Sequence, residues 1–240
     1  MKKILLLFIT IFLGNQILEA QSRAYTVKGG LTVGTQRWED TQQDPLFRYH
    51  GIVGIESAPQ NNTFALFAQV GYHVKGSAWR NNLFRNISGQ GFTILSQDFE
   101  FRNLSLTIGA KKKFTDRGNA TLYYLFGVRG DYNIGTNLAE YEAANLFANG
   151  PVYPVEGAVQ DITYGMTLGG GAEVPVSEFV SAIFELTLNP DLREQYRQPS
   201  FVSNSSVLVN PRTFSERRIT NLTLEFSVGF RFLHKIEYID

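Results

Sequence analysis

The sequence predicts an all-β protein: an eight-stranded antiparallel up-and-down transmembrane β-barrel with short periplasmic turns and long extracellular loops. Three observations predict it. From Ala24 onward, apolar and polar residues alternate with a period of two in eight successive segments, which is the strand period. The connections between segments differ in length, tight at one rim and mostly long at the other, as in barrels that cross a membrane. The polar face carries charges of both signs among many Gly, Ser and Thr, which suits a narrow interior where an unpaired ion is costly.

The chain opens with a basic head, Met1-Lys2-Lys3, followed by the apolar run Ile4 to Leu13 and a polar exit from Asn15 to Ala20. The run is too short to span a membrane, which takes about 20 apolar residues. Residues 1–20 therefore read as a secretory signal peptide cleaved after Ala20, and 21–240 as one barrel domain. No later apolar run approaches the length of a spanning helix, so the mature chain is either exported and soluble or crosses a membrane as strands.

The eight segments follow in order. In the first, 24–37, Tyr25, Val27, Leu31 and Val33 share one face and Thr26, Lys28 and Thr32 the other. The second, 47–56, sets Phe47, Tyr49, Val53 and Ile55 against Arg48, His50 and Glu56. The third, 63–76, sets Phe64, Leu66, Val70 and Tyr72 against Phe67, Gln69, His73 and Lys75. The fourth, 98–113, has Phe99 and Phe101 in one phase and Leu104, Leu106 and Ile108 in the other. This predicts a bulge at Arg102-Asn103 that reverses the facing. In the fifth, 120–133, Leu122, Tyr124, Phe126 and Val128 oppose Leu125, Arg129 and Asp131. The sixth, 160–174, sets Ile162, Tyr164, Met166 and Leu168 against Asp161, Thr163, Thr167 and Glu173. The seventh, 179–189, sets Phe184, Leu186 and Leu188 against Glu185 and Thr187. The eighth, 219–233, alternates Leu222, Leu224, Phe226, Val228, Phe230 and Phe232 with Thr223, Glu225, Ser227 and Arg231. The segments 57–62, 115–119 and 175–178 are the short turns; 38–45, 77–97, 133–160 and 190–218 are the longer loops.

The polar face assembles a predicted lumen network of Lys28, Arg48, Lys75, Lys111, Arg129 and Arg231 with Glu56, Asp131, Asp161, Glu173, Glu185 and Glu225, six of each sign. An eight-stranded barrel is just filled by its side chains, so these charges read as a salt-bridged plug and argue against a wide pore. The inverse facing, a soluble exported barrel of lipocalin type with its apolar side inward, is the alternative fold.

Composition narrows function by exclusion. With 22 Lys+Arg against 22 Asp+Glu and no Cys, the chain is not a basic nucleic-acid binder, and disulfides, thiol catalysis and Cys-based metal centres are excluded. Gly169-Gly170-Gly171 lacks the Lys-Ser/Thr and helix of a phosphate loop. Asn204-Ser205-Ser206 is a glycosylation sequon only in a eukaryotic secretory setting. Asp40 and Asp44 lack calcium-loop spacing. Of three histidines, His50 and His73 face inward, offset along the barrel, and His234 lies in the tail; no catalytic cluster forms at the outer loops. No catalytic residue, metal or cofactor is predicted. The partners expected are outer-membrane lipid and other envelope or secretion proteins.

Several stretches carry a family resemblance: Val27-Lys-Gly-Gly-Leu-Thr-Val-Gly34, Gly71-Tyr-His-Val-Lys-Gly76, and Asp161-Ile-Thr-Tyr-Gly165 running on to Gly169-Gly-Gly-Ala-Glu173. They resemble the PorT-type outer-membrane barrels of Bacteroidota, over most of residues 24–233. The fourth segment departs, with Asn103-Leu-Ser where that family usually has a Pro. The resemblance implies an integral bacterial outer-membrane protein, and for some members an accessory or assembly role in type IX secretion. It supplies no catalytic residues. Phe230-Arg231-Phe232 is similar to the aromatic-ended assembly signal of such barrels, although the chain continues to Asp240. A non-enzymatic scaffold for an envelope machine is the first functional expectation. A narrow channel, an outer-membrane enzyme using His50 or His73, and a soluble lipid-binding barrel are the alternatives.

Overall fold

The computed structural model describes residues 22–38, 43–58, 63–85, 91–115, 120–147, 153–203 and 212–234. The predicted signal segment, Asp40 and the Asn204 sequon lie outside them. The strands are β1 (Arg23–Arg37), β2 (Asp44–Ser57), β3 (Phe64–Arg85), β4 (Gly91–Thr115), β5 (Thr121–Thr136), β6 (Ile162–Pro175), β7 (Val180–Pro190), β8 (Tyr196–Gln198), β9 (Phe201–Ser203), β10 (Arg212–Phe214) and β11 (Arg217–His234). A 3-10 turn (Leu138–Tyr141) leads into the helix α1 (Glu142–Phe147).

Each of β1 to β6 pairs antiparallel with its successor; β11 pairs with β7, and β1 closes on β11 in continuous register from Arg23↔His234 to Arg37↔Thr220. Eight strands thus form a closed up-and-down ring with no free edge, the arrangement in which alternate residues face in and out along every strand. β8 lies on the upper end of β11, and β9 and β10 form a separate hairpin. No helix among the described residues is long and apolar enough to cross a membrane.

The facing decides between the two folds that the alternation allows. Leu224 and Phe226 are 42% and 48% exposed, whereas Glu225 between them is 2% exposed. The same holds around the ring: Leu31, Val53, Leu106, Ile108, Val128 and Leu186 face out. The soluble, apolar-in reading is thereby overturned. Aromatics flank this aliphatic belt. Phe47, Tyr49, Tyr132 and Tyr164 lie towards the long-loop rim, and Tyr25, Phe114, Tyr124, Phe179, Phe230 and Phe232 towards the short-turn rim.

Two expectations about individual strands are corrected. Phe99 and Phe101 do not belong to a reversed phase. They point inward with Asn103, Ser105 and Thr107 in one unbroken alternation along β4. A register shift does occur opposite Arg102/Asn103, but the extra residue is Ile134 in β5: Arg102 faces Gly135 and Asn103 faces Asn133. The bulge therefore leaves the facing of β4 intact. The expected second long loop is mostly strand, because β3 and β4 continue as a paired hairpin past the ring to Arg85↔Gly91.

Phe99 and Phe101 face inward because the long loops fold over the mouth and give them a core. Trp38, Trp79, Phe99, Phe101, Leu138, Tyr153, Tyr196 and Ile219 pack together, each no more than 8% exposed. The rings meet at 5.3–5.4 Å between centroids for Trp38–Trp79, Trp38–Phe99 and Trp79–Phe99. Asn137 pins this cap to the wall: its side chain accepts from Glu100 N (2.8 Å) and donates to Asp98 O (2.7 Å).

Candidate functional site in the lumen

The inward residues build a charged interior in two tiers. The lower tier begins with Lys28 of β1, which donates to Glu185 of β7 (2.5 Å) and to Gln69 (3.2 Å). Glu185 also accepts from the Tyr123 hydroxyl at 2.7 Å. Lys111 of β4 pairs with Glu56 of β2 (2.9 Å) and stands 4.7 Å from the Tyr123 ring centroid, a cation–π contact. Lys113 joins Glu56 (2.6 Å) to Glu173 (3.0 Å), and Arg231 lies 3.5 and 3.8 Å from the same two carboxylates. Phe67, Tyr123, Leu125 and Ile183 fill the space between as an apolar cluster.

The upper tier is a square of charges. Lys75 of β3 bonds Asp131 of β5 and Asp191, each at 2.8 Å. Arg129 bonds the same two carboxylates at 3.1 and 2.8 Å. Ser105 donates to Asp131 (2.5 Å), and Asn221 to Asp191 (2.9 Å). All these ions are 8% exposed or less. Taking them out of water costs several kcal/mol per ion, and the cost is recovered only where each has opposite charges and further hydrogen bonds in place.

Between the tiers lies a polar layer of histidines and hydroxyls around one carboxylate, Glu225. His50 and His73 are register partners on β2 and β3, not offset along the barrel, and their rings stack at 5.7 Å and 13°. His50 reaches Ser227 Oγ (2.8 Å) and Thr32 Oγ1 (3.0 Å), while His73 Nδ1 lies 2.7 Å from Glu225. Ser227 beside His50 has the reach of a nucleophile and base. However, the serine is 1% exposed deep in the lumen, and the residue on the far ring nitrogen is a neutral threonine.

Ten of the twelve predicted network residues meet in these tiers and in the layer between them. The other two are corrected. Asp161 precedes β6 and is exposed; its carbonyl accepts from Asn133 N at 2.7 Å. Arg48 leaves the lumen because β2 carries one extra residue between Pro45 and His50 relative to β3. Its guanidinium instead bonds Glu100 (2.6 Å) and Asp98 (2.7 Å) at the long-loop rim, on the strand face that continues the apolar belt of β4. With Arg102, Glu140 and Tyr141 they line an open recess of about 390 Å³.

Two ions of the network lie outside the sequence expectation. Lys113 repeats the parity of Lys111 at the end of the fourth segment, so carrying the inward series to that last position recovers it. Asp191 continues the inward series Glu185, Thr187, Asn189 past Pro190, a residue that signals a strand end. With them the buried balance among the described residues is again six and six: Lys28, Lys75, Lys111, Lys113, Arg129 and Arg231 against Glu56, Asp131, Glu173, Glu185, Asp191 and Glu225.

No protein-family model matches the chain, and no curated protein matches it in sequence. Among solved structures it is similar to the outer membrane protein OprG of Pseudomonas aeruginosa (TM-score 0.49, 11% identity, 88% of this chain and 97% of that one). It is also similar to a major outer membrane protein of Thermus thermophilus (0.48, 12%, 89% and 99%) and to Neisserial surface protein A (0.42, 10%, 88% and 96%). Likeness at this level carries no argument about function; the closed eight-stranded antiparallel ring stands on the strand pairing and facing of the chain itself.

Proposed function

We propose that the chain is an integral bacterial outer-membrane protein, exported by a cleaved signal peptide, that acts as a non-enzymatic scaffold. One observation carries the placement: the ring turns a continuous apolar belt outward and buries matched ions inside, twelve of them among the described residues. In water that belt would be an aggregation surface; against acyl chains it is the stable facing. The same packing favours a scaffold over the other readings. Ion pairs fill the lumen and an aromatic core covers the mouth, which leaves a narrow channel without a described path and a buried Ser227–His50 pair without substrate access. What the barrel offers its surroundings is the ordered cap and the β3–β4 and β9–β10 hairpins that stand beyond the ring, and recognition in barrels commonly resides in such loops.

The PorT-type motifs quoted above support an accessory or assembly role in an envelope or protein-secretion machine of type IX kind, with other envelope proteins as partners. Placement is tested by fractionation: the protein should enter detergent extracts of outer membranes and migrate differently in gels with and without heating. A folded, monodisperse protein in plain buffer refutes the placement. The role is tested by deleting the gene, measuring export of secreted proteins, and identifying co-purifying proteins from solubilised outer membranes. Unchanged export refutes the secretion role while leaving the placement intact.

A further inference from the structure

The two lumen histidines do more than fill the layer between the tiers. His50 sits on β2, yet its ring bonds reach Thr32 on β1 (3.0 Å) and Ser227 on β11 (2.8 Å). His73 sits on β3, yet bonds Glu225 on β11 (2.7 Å). Both rings therefore cross the line where the first strand meets the last. Gly30, register partner of both His50 and Ser227, leaves that path open, and a side chain there would collide with the Phe226 carbonyl. Gly71, on the same β3 face as His73, does the same for the second ring: a Cβ at Gly71 would strike its Nε2.

The charges around the pair are fixed. Lys28 of β1, Glu225 of β11, Glu185 of β7 and Arg129 of β5 face it, Lys75 lies on β3 itself, and β4 brings the neutral Asn103 opposite His73. Glu185 is held by Lys28 and Tyr123, and Glu225 by His73. A neutral His50 suits its surroundings, because one ring nitrogen donates and the other accepts, and both hydroxyls rotate to match. A protonated His50 has two hydroxyls and no carboxylate of its own, and faces a second imidazole across 5.7 Å.

We propose that His50 and His73 form a proton-sensitive clasp on the closing seam of the barrel. With His50 neutral the clasp holds β2 and β3 to β11. Protonation of His50 adds an unmatched charge to a balanced interior and loosens the seam. The unfolded chain takes up histidine protons near pH 6.5 and carboxylate protons near 4, so between the two acid favours the opened clasp while the ion pairs of both tiers are still intact. The inference concerns the barrel alone and holds whether or not the protein assists secretion.

The test is the rate of urea unfolding of the full chain refolded in detergent micelles, read as loss of the heat-sensitive gel form at pH 7.5 and 5.0. The wild type should unfold at least about tenfold faster at pH 5.0, the equivalent of one unit of displaced histidine ionisation. His50→Gln, which keeps a polar side chain but takes up no proton, should remove most of that acceleration. Equal acceleration in both proteins, or none in the wild type, overturns the proposal. Should the variant fail to refold, histidine-selective NMR of the wild type decides. Two rings titrating independently with ordinary values overturn the clasp, and coupled, separated titrations accompanied by shifts at Thr32 and Ser227 support it.

Discussion

Lys75→Met is the sharpest probe of the charged interior. Lys75 is fully buried and is one of two cations serving Asp131 and Asp191. Methionine matches its volume and removes its charge, leaving two carboxylates on Arg129 alone. Removing one partner of a buried pair costs about 3–5 kcal/mol because an uncompensated charge remains. At about 1.4 kcal/mol per decade that is a 10²- to 10⁴-fold loss in the folding equilibrium. The double variant Lys75→Met/Asp191→Asn restores one cation to one anion, with Arg129 still on Asp131 at 3.1 Å. It should regain most of the loss, giving a coupling energy of about 2 kcal/mol or more in a double-mutant cycle. Equilibrium urea unfolding in micelles or vesicles, by gel shift and tryptophan fluorescence, measures all four corners of the cycle. A single-variant cost under about 1 kcal/mol, with additive behaviour in the cycle, would mean that water screens the square as it does surface pairs, and the reasoning that the lumen is a dry plug would fail.

Three further outcomes are expected. Ile108→Arg places a charge mid-belt on the outer wall and should cost about 2–4 kcal/mol in a bilayer; stability unchanged in vesicles would contradict a lipid-facing belt. Gly76 sits at φ +148° with the Phe99 carbonyl and Leu46 against the place a Cβ would take. Gly76→Ala should therefore destabilise by about 1–3 kcal/mol from backbone strain alone, and a neutral result in urea unfolding would show that the local fold differs. Burial in the cap raises the Tyr196 phenol above its ordinary range. The folded state thus favours the neutral form, and its contribution is complete below about pH 10 and lost as pH rises through the folded value. Absorbance at phenolate wavelengths should show a late-titrating tyrosine that Tyr196→Phe removes; all eleven tyrosines titrating together would argue against an ordered cap.

The ring was legible because alternation is a local signal. Leu222 to Phe232 alone displays both faces, and the excess of ions among small residues on one face indicated which side is inside. What was lost depends on register and on distant contacts. Arg48 shares the parity of His50, so only the extra residue in β2, invisible without its pairing partner, explains why it leaves the lumen. The same pairing brings His50 opposite His73, which counting along two separate segments sets apart. Phe99 and Phe101 fall out of phase only when every apolar residue is assigned to lipid. They are buried by Trp38, Trp79, Tyr153 and Tyr196, which come from four separate parts of the chain and follow no period. Asp191 is hidden by Pro190, whose ring suggests a strand end although the chain keeps its direction for one more inward residue.

The partners in the lumen are rarely neighbours in the sheet. Lys28 on β1 finds Glu185 on β7, Glu56 on β2 finds Lys111 on β4, and Lys75 on β3 finds Asp191 beyond β7. An unfinished sheet, open between its two ends, would hold these groups bare and hydrated, and in that state it has no low-energy way into hydrocarbon. Docking of β1 on β11 therefore closes the ring and completes the ion pairing at once, because Lys28 reaches Glu185 across that seam.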